Sequence, residues 1–254
     1  MKTTNQIMAV LALLLFLNFN LNAQEDRYQL YVVHEDRVKD GMIEKHMEAD
    51  KALLKAAKQN EMKDFSWISF QSDDNRMLYL SPIENFAELD HNPFKDLEDK
   101  IGEEEMDKLL EAFSNTYSEH GDYVLILDKE LSYMPEGITQ TPQGEDYRQL
   151  DFYHIPPGKD DKAEELARSV KDLYSKKGSK LNYRLYKSSF GVMGNYYMVA
   201  MSAKSADELA KLRNENDNLV GDEGKKLMEE IQKTVSKIET LTGKIRPDLS
   251  YMNN

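Results

Sequence analysis

The tetrapeptide Leu-Ser-Tyr-Met occurs twice in this chain, at Leu131–Met134 and at Leu249–Met252. A second echo precedes each copy: Leu30-Tyr31-Val32-Val33-His34 is answered by Leu150-Asp151-Phe152-Tyr153-His154. His34 and His154 are 120 positions apart, and Tyr133 and Tyr251 are 118 apart. Two anchors at nearly one offset imply a structural unit written twice, and a repeat constrains a fold more than local propensity does. The 254 residues leave room for two units of about 100 residues each.

Residues 1–23 stand apart from this pattern. Lys2 is followed by an apolar run from Ile7 to Leu17, and Leu21-Asn22-Ala23 puts a small residue before Gln24. That is the layout of a cleaved secretory signal, and the run is shorter than the ~20 apolar residues of a spanning helix. The expected location is secreted or periplasmic. With no Cys in the chain, lipid attachment through a cysteine is excluded and no disulfide contributes. No Asn-x-Ser/Thr acceptor occurs either, which suits a bacterial exported protein. The net charge of −13 repels phosphate backbones, so nucleic acid is not an expected partner. No later stretch is apolar enough to span a membrane, so the mature chain is expected to lack a membrane span.

After the signal, the apolar periodicities alternate between those of strands and helices. Tyr28–His34 reads as a strand and Met42–Asn60 as a helix. Phe65–Gln71 and Arg76–Leu80 form a hairpin around Ser72–Asn75, closed by Pro82. A short helical turn from Ile83 to Leu89 and a helix split near Gly102, running to His120, precede the apolar strand Asp122–Asp128. Pro135–Asp146, with two Pro and two Gly, reads as a linker. The order then repeats. Tyr147–Ile155 is a strand, and Asp160–Lys177 is a helix capped by Asp161 and ended by Gly178. Strands Lys180–Lys187 and Tyr196–Ser202 follow, then helices Ser205–Asn214 and Asp222–Ile238. A terminal strand from Ile238 to Met252 is interrupted by Gly243 and Pro247. The expected division is a first α+β repeat over 24–134, the linker 135–146 and a second repeat over 147–254.

Strand, helix, hairpin, helices and strand in each repeat resemble the ferredoxin-like unit of the dimeric α+β barrel superfamily, which includes antibiotic-biosynthesis-monooxygenase-like domains. The resemblance rests on Tyr147–Leu173, above all His154-Ile155-Pro156-Pro157-Gly158-Lys159 leading into a helix, with a weaker version over His34–Glu44. It implies an α+β fold: two ferredoxin-like β-α-β-β-α-β repeats packed sheet to sheet as an intramolecular α+β barrel, a self-contained pseudo-dimer. The physical motive is that each sheet covers one face with its own helices and leaves the other to be buried, at ~25 cal/mol per Å² of apolar area.

Strand parity then sorts candidate residues by face. Leu30, Val32 and His34, with Leu150, Phe152 and His154, are assigned to the helix side. Tyr31 and Val33, with Asp151 and Tyr153, are then expected inside the barrel, as are Arg184, Tyr186, Ser66, Ile68 and Phe70. The ligand-binding candidates are therefore Tyr31, Asp151, Tyr153, Arg184 and Tyr186, since tyrosines give apolar walls with a polar tip. The competing reading pairs Asp151 with Arg184 or leaves both at a wet rim, because a buried charge needs a partner.

His34 and His154 read as strand-end imidazoles, His46 as the edge of a packed helix face, and His120 as a helix C-terminal cation; His91 sits in a breaker segment. None has a neighbouring His at metal-ligand spacing, so no metal site is expected, and no cofactor is proposed. In haem-degrading members of the resembled superfamily a Trp, an Asn and a His surround the porphyrin. Trp67 reads as a core aromatic, and neither first strand holds an Asn. The sequence shows no nucleotide loop, serine elbow or cysteine nucleophile. Three functions remain: binding of a small, partly apolar molecule between the two sheets, a protein-interaction module, or a cofactor-independent monooxygenase-like enzyme.

Overall fold

The computed structural model describes residues 27–63 and 65–252; the expected signal at 1–23 lies outside them. Eight strands close a barrel: β1 (Tyr28–Val38), β2 (Ile68–Ser72), β3 (Arg76–Ile83), β4 (Tyr117–Asp128), β5 (Tyr147–Ile155), β6 (Tyr183–Ser188), β7 (Asn195–Ala203) and β8 (Lys237–Ile245). Their order around the barrel is β1-β3-β2-β8-β5-β7-β6-β4, and every neighbouring pair is antiparallel. Five helices cover the outside: α1 (Ile43–Gln59), α2 (Lys95–Ile101), α3 (Glu103–Glu111), α4 (Asp160–Lys177) and α5 (Ala206–Thr234). An eight-stranded barrel is just wide enough for side chains to fill it. Val33, Phe70, Leu78, Leu125, Leu150, Tyr186, Met198 and Leu241, one from each strand, meet in its core.

Two short seams join residues 28–128 to residues 147–245. At one, Phe70 faces Ile245 and Ser72 faces Gly243; at the other, Tyr186 faces Leu127 and Ser188 faces Leu125. Leu125 and Gly243 therefore occupy matching places. Their partners on the next strands are Tyr31 and Arg148, so β1 matches β5 at an offset of 117, not the 120 suggested by the His34 and His154 echo.

The Leu-Ser-Tyr-Met copies stitch these seams by exchange. Tyr133 bridges to Tyr183, and Tyr251 to Trp67. The Ser132 hydroxyl donates to Asp128 O and accepts from Leu185 N, at 2.7 and 2.9 Å. Ser250 repeats this with Arg246 O and Ser69 N, at 2.8 and 2.9 Å. The Tyr133 and Tyr251 hydroxyls donate to Ser179 O and Met62 O, each just beyond the first helix of the opposite half. Leu131 and Leu249 lie beneath, 0% and 1% exposed.

Several boundaries differ from the sequence reading. Pro82 lies inside β3 opposite Tyr31; β2 pairs with β3 only as far as Leu80, so the missing N–H breaks no ladder bond on that side. The turn expected at 83–89 is a 3-10 segment, Phe86–Asp90, with Asn85 accepting from Ala87 N. His120 is on β4 rather than at a helix end. Helix α4 starts without a side-chain cap from Asp161, while Gly178 takes the left-handed C-cap as expected. The two helices expected after Ser205 do break at Gly221 (φ 55°), as the sequence reading has it, and are described together as α5; the first continues past Asn214 to the break, and the second ends at Thr234.

Gly243 does not interrupt the last strand. A Cβ there would lie 2.2 Å from Gln71 O and 2.7 Å from Ser72 Cα, so its missing side chain lets β8 approach β2. Gly243→Ala is expected to cost about 3 kcal/mol through forced separation at the seam, read as a lowered urea midpoint with an unchanged slope.

Candidate functional site

Inside the barrel the free space is only about 70 Å³, roughly two waters' share of volume. Tyr31, Arg184 and Tyr186 do face this interior. They are held there by the segment 135–146, which plugs one end instead of acting as a bare linker. Gln140 donates to the Tyr31 hydroxyl at 3.1 Å and accepts from the Tyr186 hydroxyl, while Ile138 packs on the core. Arg184 donates to Thr139 O at 2.7 Å and Arg148 to Gln140 O at 2.9 Å. Burial, together with the neighbouring Arg184, pushes the Arg148 pKa down to about 10; burial pushes the Tyr186 hydroxyl up to about 12.

Asp151 and Tyr153 correct the parity assignment. Leu150 and Phe152 pack into the barrel, which turns Asp151 and Tyr153 outward toward the helices. The three-residue error in the echo is odd, and an odd slip exchanges the two faces of a strand. Asp151 is not the partner of Arg184. Its carboxylate accepts from Thr240 Oγ1 at 2.7 Å and from Gln149 Nε2 at 2.9 Å, with Arg213 at 3.6 Å.

These two residues line a larger cavity, about 150 Å³, between the second-half sheet and its helices. Its floor is Tyr153, Tyr183, Leu185, Tyr197 and Val199; α4 contributes Leu166, Ala167 and Val170; both arms of kinked α5 reach it through Arg213 and Ile231. The backbone leaves the helical region at Gly221, between those two arms. Tyr153 is half-buried, and among the described residues its hydroxyl makes no hydrogen bond. Burial drives its pKa well above the ordinary tyrosine value.

In the first half a hydrophobic cluster lies between sheet and helices. Trp67, Leu53, Leu54, Leu97 and Met106 pack under α1–α3, and Trp67 donates its indole N–H to Leu249 O at 2.9 Å, as befits a core aromatic. A polar network occupies the open end. By the offset of 117, His34 and Asp36 match Asp151 and Tyr153. His34 Nδ1 lies 2.8 Å from Asp122, and its Nε2 3.3 Å from Asp36 Oδ1. Asp36 Oδ2 lies 3.6 Å from His46 Nε2, which is also 3.0 Å from the Tyr79 hydroxyl; that hydroxyl donates to Asp50 at 2.7 Å. Burial opposes the charge on His34, but Asp122 and Asp36 outweigh it and raise its pKa to about 10. Burial lowers the His46 pKa and pushes Asp50 up to about 7. His34, Asp36 and His120 present ligand-type atoms within 4.8 Å of one another. Spacing did not reveal this group because its members come from two strands; the cross-strand pairs His34–Asp122 and Asp36–His120 bring them together. His154, by contrast, pairs with Glu239 at 2.6 Å.

No protein-family model and no curated protein matches the sequence. Solved structures do resemble the fold. An anthrone oxidase-like protein aligns at TM-score 0.58 and 14% identity over 86% of this chain and 91% of its own. A protein named for monooxygenase activity from Lactobacillus acidophilus NCFM aligns at 0.51 and 14% over 89% and 97%. A mutant chlorite dismutase from Candidatus Nitrospira defluvii aligns at 0.50 and 11% over 86% and 92%. These neighbours belong to the dimeric α+β barrel superfamily, and what they share with this chain is the fold: mixed α+β, built on a closed eight-stranded antiparallel barrel.

Proposed function

We propose that this protein binds a small, partly apolar molecule of about single-ring size in the cavity over Tyr153, not in the barrel interior. The observation that carries the reading is the contrast in free volume, about 150 Å³ under α4 and α5 against about 70 Å³ inside the barrel. A dry apolar cavity near 150 Å³ admits a benzene-sized guest. The Tyr153 hydroxyl and the Asp151–Arg213 pair supply the polar handles that orient a guest in an otherwise apolar pocket. Phenol is the probe of choice. It is expected to raise the melting temperature of the wild type in a concentration-dependent way. Ala167→Leu, which fills the cavity, should abolish the effect, and Tyr153→Phe should weaken binding about tenfold, the worth of one hydrogen bond. A phenol response that survives Ala167→Leu would place the guest elsewhere.

The same cavity supports a second reading as a cofactor-independent oxygenase, as the fold neighbours named for oxidase and monooxygenase activity suggest. Oxygen consumption with an electron-rich phenol, lost in Tyr153→Phe and Asp151→Asn, would favour it. Residues 24–134 and 147–254 read as two ferredoxin-like copies of one duplicated unit joined through 135–146. The matching seams and the paired Leu-Ser-Tyr-Met contacts support that reading. The apolar run after Lys2 supports export to the periplasm or beyond. Among the described residues no helix is long and apolar enough to cross a membrane.

A further inference from the structure

We infer that the first half carries a divalent transition-metal site formed by His34, Asp36 and His120. The three offer one donor atom each, all within 4.8 Å of one another. Nitrogen and oxygen donors bound to one ion at ~2.1 Å stand about 3.0–3.5 Å apart, and His34 Nε2 already lies 3.3 Å from Asp36 Oδ1. His120 is exposed, so rotation of its side chain closes the remaining gap without moving the barrel.

A second observation points to a missing ligand. Asp36 is 3% exposed, and its Oδ1, 3.3 Å from His34 Nε2, is buried without completing a hydrogen bond of good geometry. Leaving a buried carboxylate oxygen unsatisfied is costly, and this oxygen is the one beside His34. The surroundings match those of bound metals. A ligating histidine usually donates its other ring N–H to a carboxylate, which fixes the tautomer. His34 Nδ1 does so to Asp122 at 2.8 Å, and an ion at Nε2 would take the place of the proton that faces Asp36 there. The far oxygen of Asp36 faces His46, whose ring is itself fixed by Thr116 Oγ1 at 2.7 Å.

Two imidazoles and one carboxylate on one face suit zinc or ferrous iron with open positions for water or substrate. They do not suit calcium or magnesium, which take mostly oxygen donors. In the second half the matching positions hold Asp151, Tyr153 and Ile238, so one ion per chain is expected.

Chelator-treated protein titrated with Co(II) tests this directly. The expected result is saturation at one equivalent, with visible d–d absorption that Zn(II) abolishes. Asp36→Asn and His120→Ala should each weaken Co(II) binding at least 100-fold, and His91→Ala, outside the cluster, should leave it unchanged. Asp122→Asn, acting through His34, should weaken it 10- to 100-fold while keeping the d–d spectrum and the melting temperature. His120→Ala decides the matter if Asp36→Asn does not fold, because His120 is exposed. No saturable binding below about 1 mM Co(II), or binding that a folded Asp36→Asn or His120→Ala leaves unchanged, overturns the site.

Discussion

Asp128→Ala is expected to destabilise the protein by about 3–5 kcal/mol, the cost of breaking a buried ion pair from one side. Asp128 is fully buried and ends β4, where the halves meet. Arg27 reaches it at 2.6 Å and Lys187, from the other half, at 3.0 Å. Both cations also hold Glu164 on α4, at 3.0 and 2.8 Å. Asp128 Oδ1 further accepts from Glu130 N and Leu131 N, fixing the turn into Leu-Ser-Tyr-Met. Asp128→Asn should cost less, because it keeps an acceptor for that turn. The network also sets a pH dependence. Burial opposes ionisation of Asp128, but Arg27 and Lys187 outweigh it and hold the pKa below the ordinary value. Lys187 is the main cause of Glu164 falling to about 2. Carboxylates with depressed folded pKa values stabilise the fold above their unfolded values and lose that contribution as pH falls through the folded ones. Stability should therefore drop between about pH 4 and pH 2, and the drop should be shallower in Asp128→Ala. Urea midpoints measured across that range check both the size and the slope.

Leu131→Ala and Leu249→Ala are each expected to cost about 3–5 kcal/mol, the loss of a fully buried leucine plus the cavity left behind. Leu131 sits among Tyr133, Leu181, Leu185 and Leu209 in the second half's core. Leu249 sits with Val38, Met47 and Met77 in the first half's. Each leucine thus anchors a tail in the half it did not come from. The two sites share no partners in these clusters, so their effects should add. The double variant then loses most of an ordinary domain's 5–15 kcal/mol and should be largely unfolded at 25 °C. Circular dichroism with urea titration tests this. Near-equal single effects are expected from matched positions, and a large inequality would mean that the two halves are not equally dependent on the exchange.

The chain itself dictated the alternation of elements. Tyr147–Ile155 and Asp160–Lys177 have the expected bounds, because alternation of apolar residues and a left-handed glycine stop are local signals. The recurrence of Leu-Ser-Tyr-Met also marked the tails that lock the seams, since the same contacts require the same side chains. Trp67, Tyr31, Arg184 and Tyr186 could be assigned to a face because their strands keep a clean period of two. Tertiary structure alone decided the rest. Asp151 and Tyr153 face the helices because pairing, not sequence likeness, sets register, and one odd slip inverts a strand. The segment 135–146 folds into one end of the barrel, which composition did not reveal. His34, Asp36 and His120 became neighbours only through the pairing of β1 with β4, and the walls of the cavity over Tyr153 come from strands and helices far apart in the chain. Local periodicity is written within a few residues; contacts between strands some 85 positions apart are made only when the barrel closes.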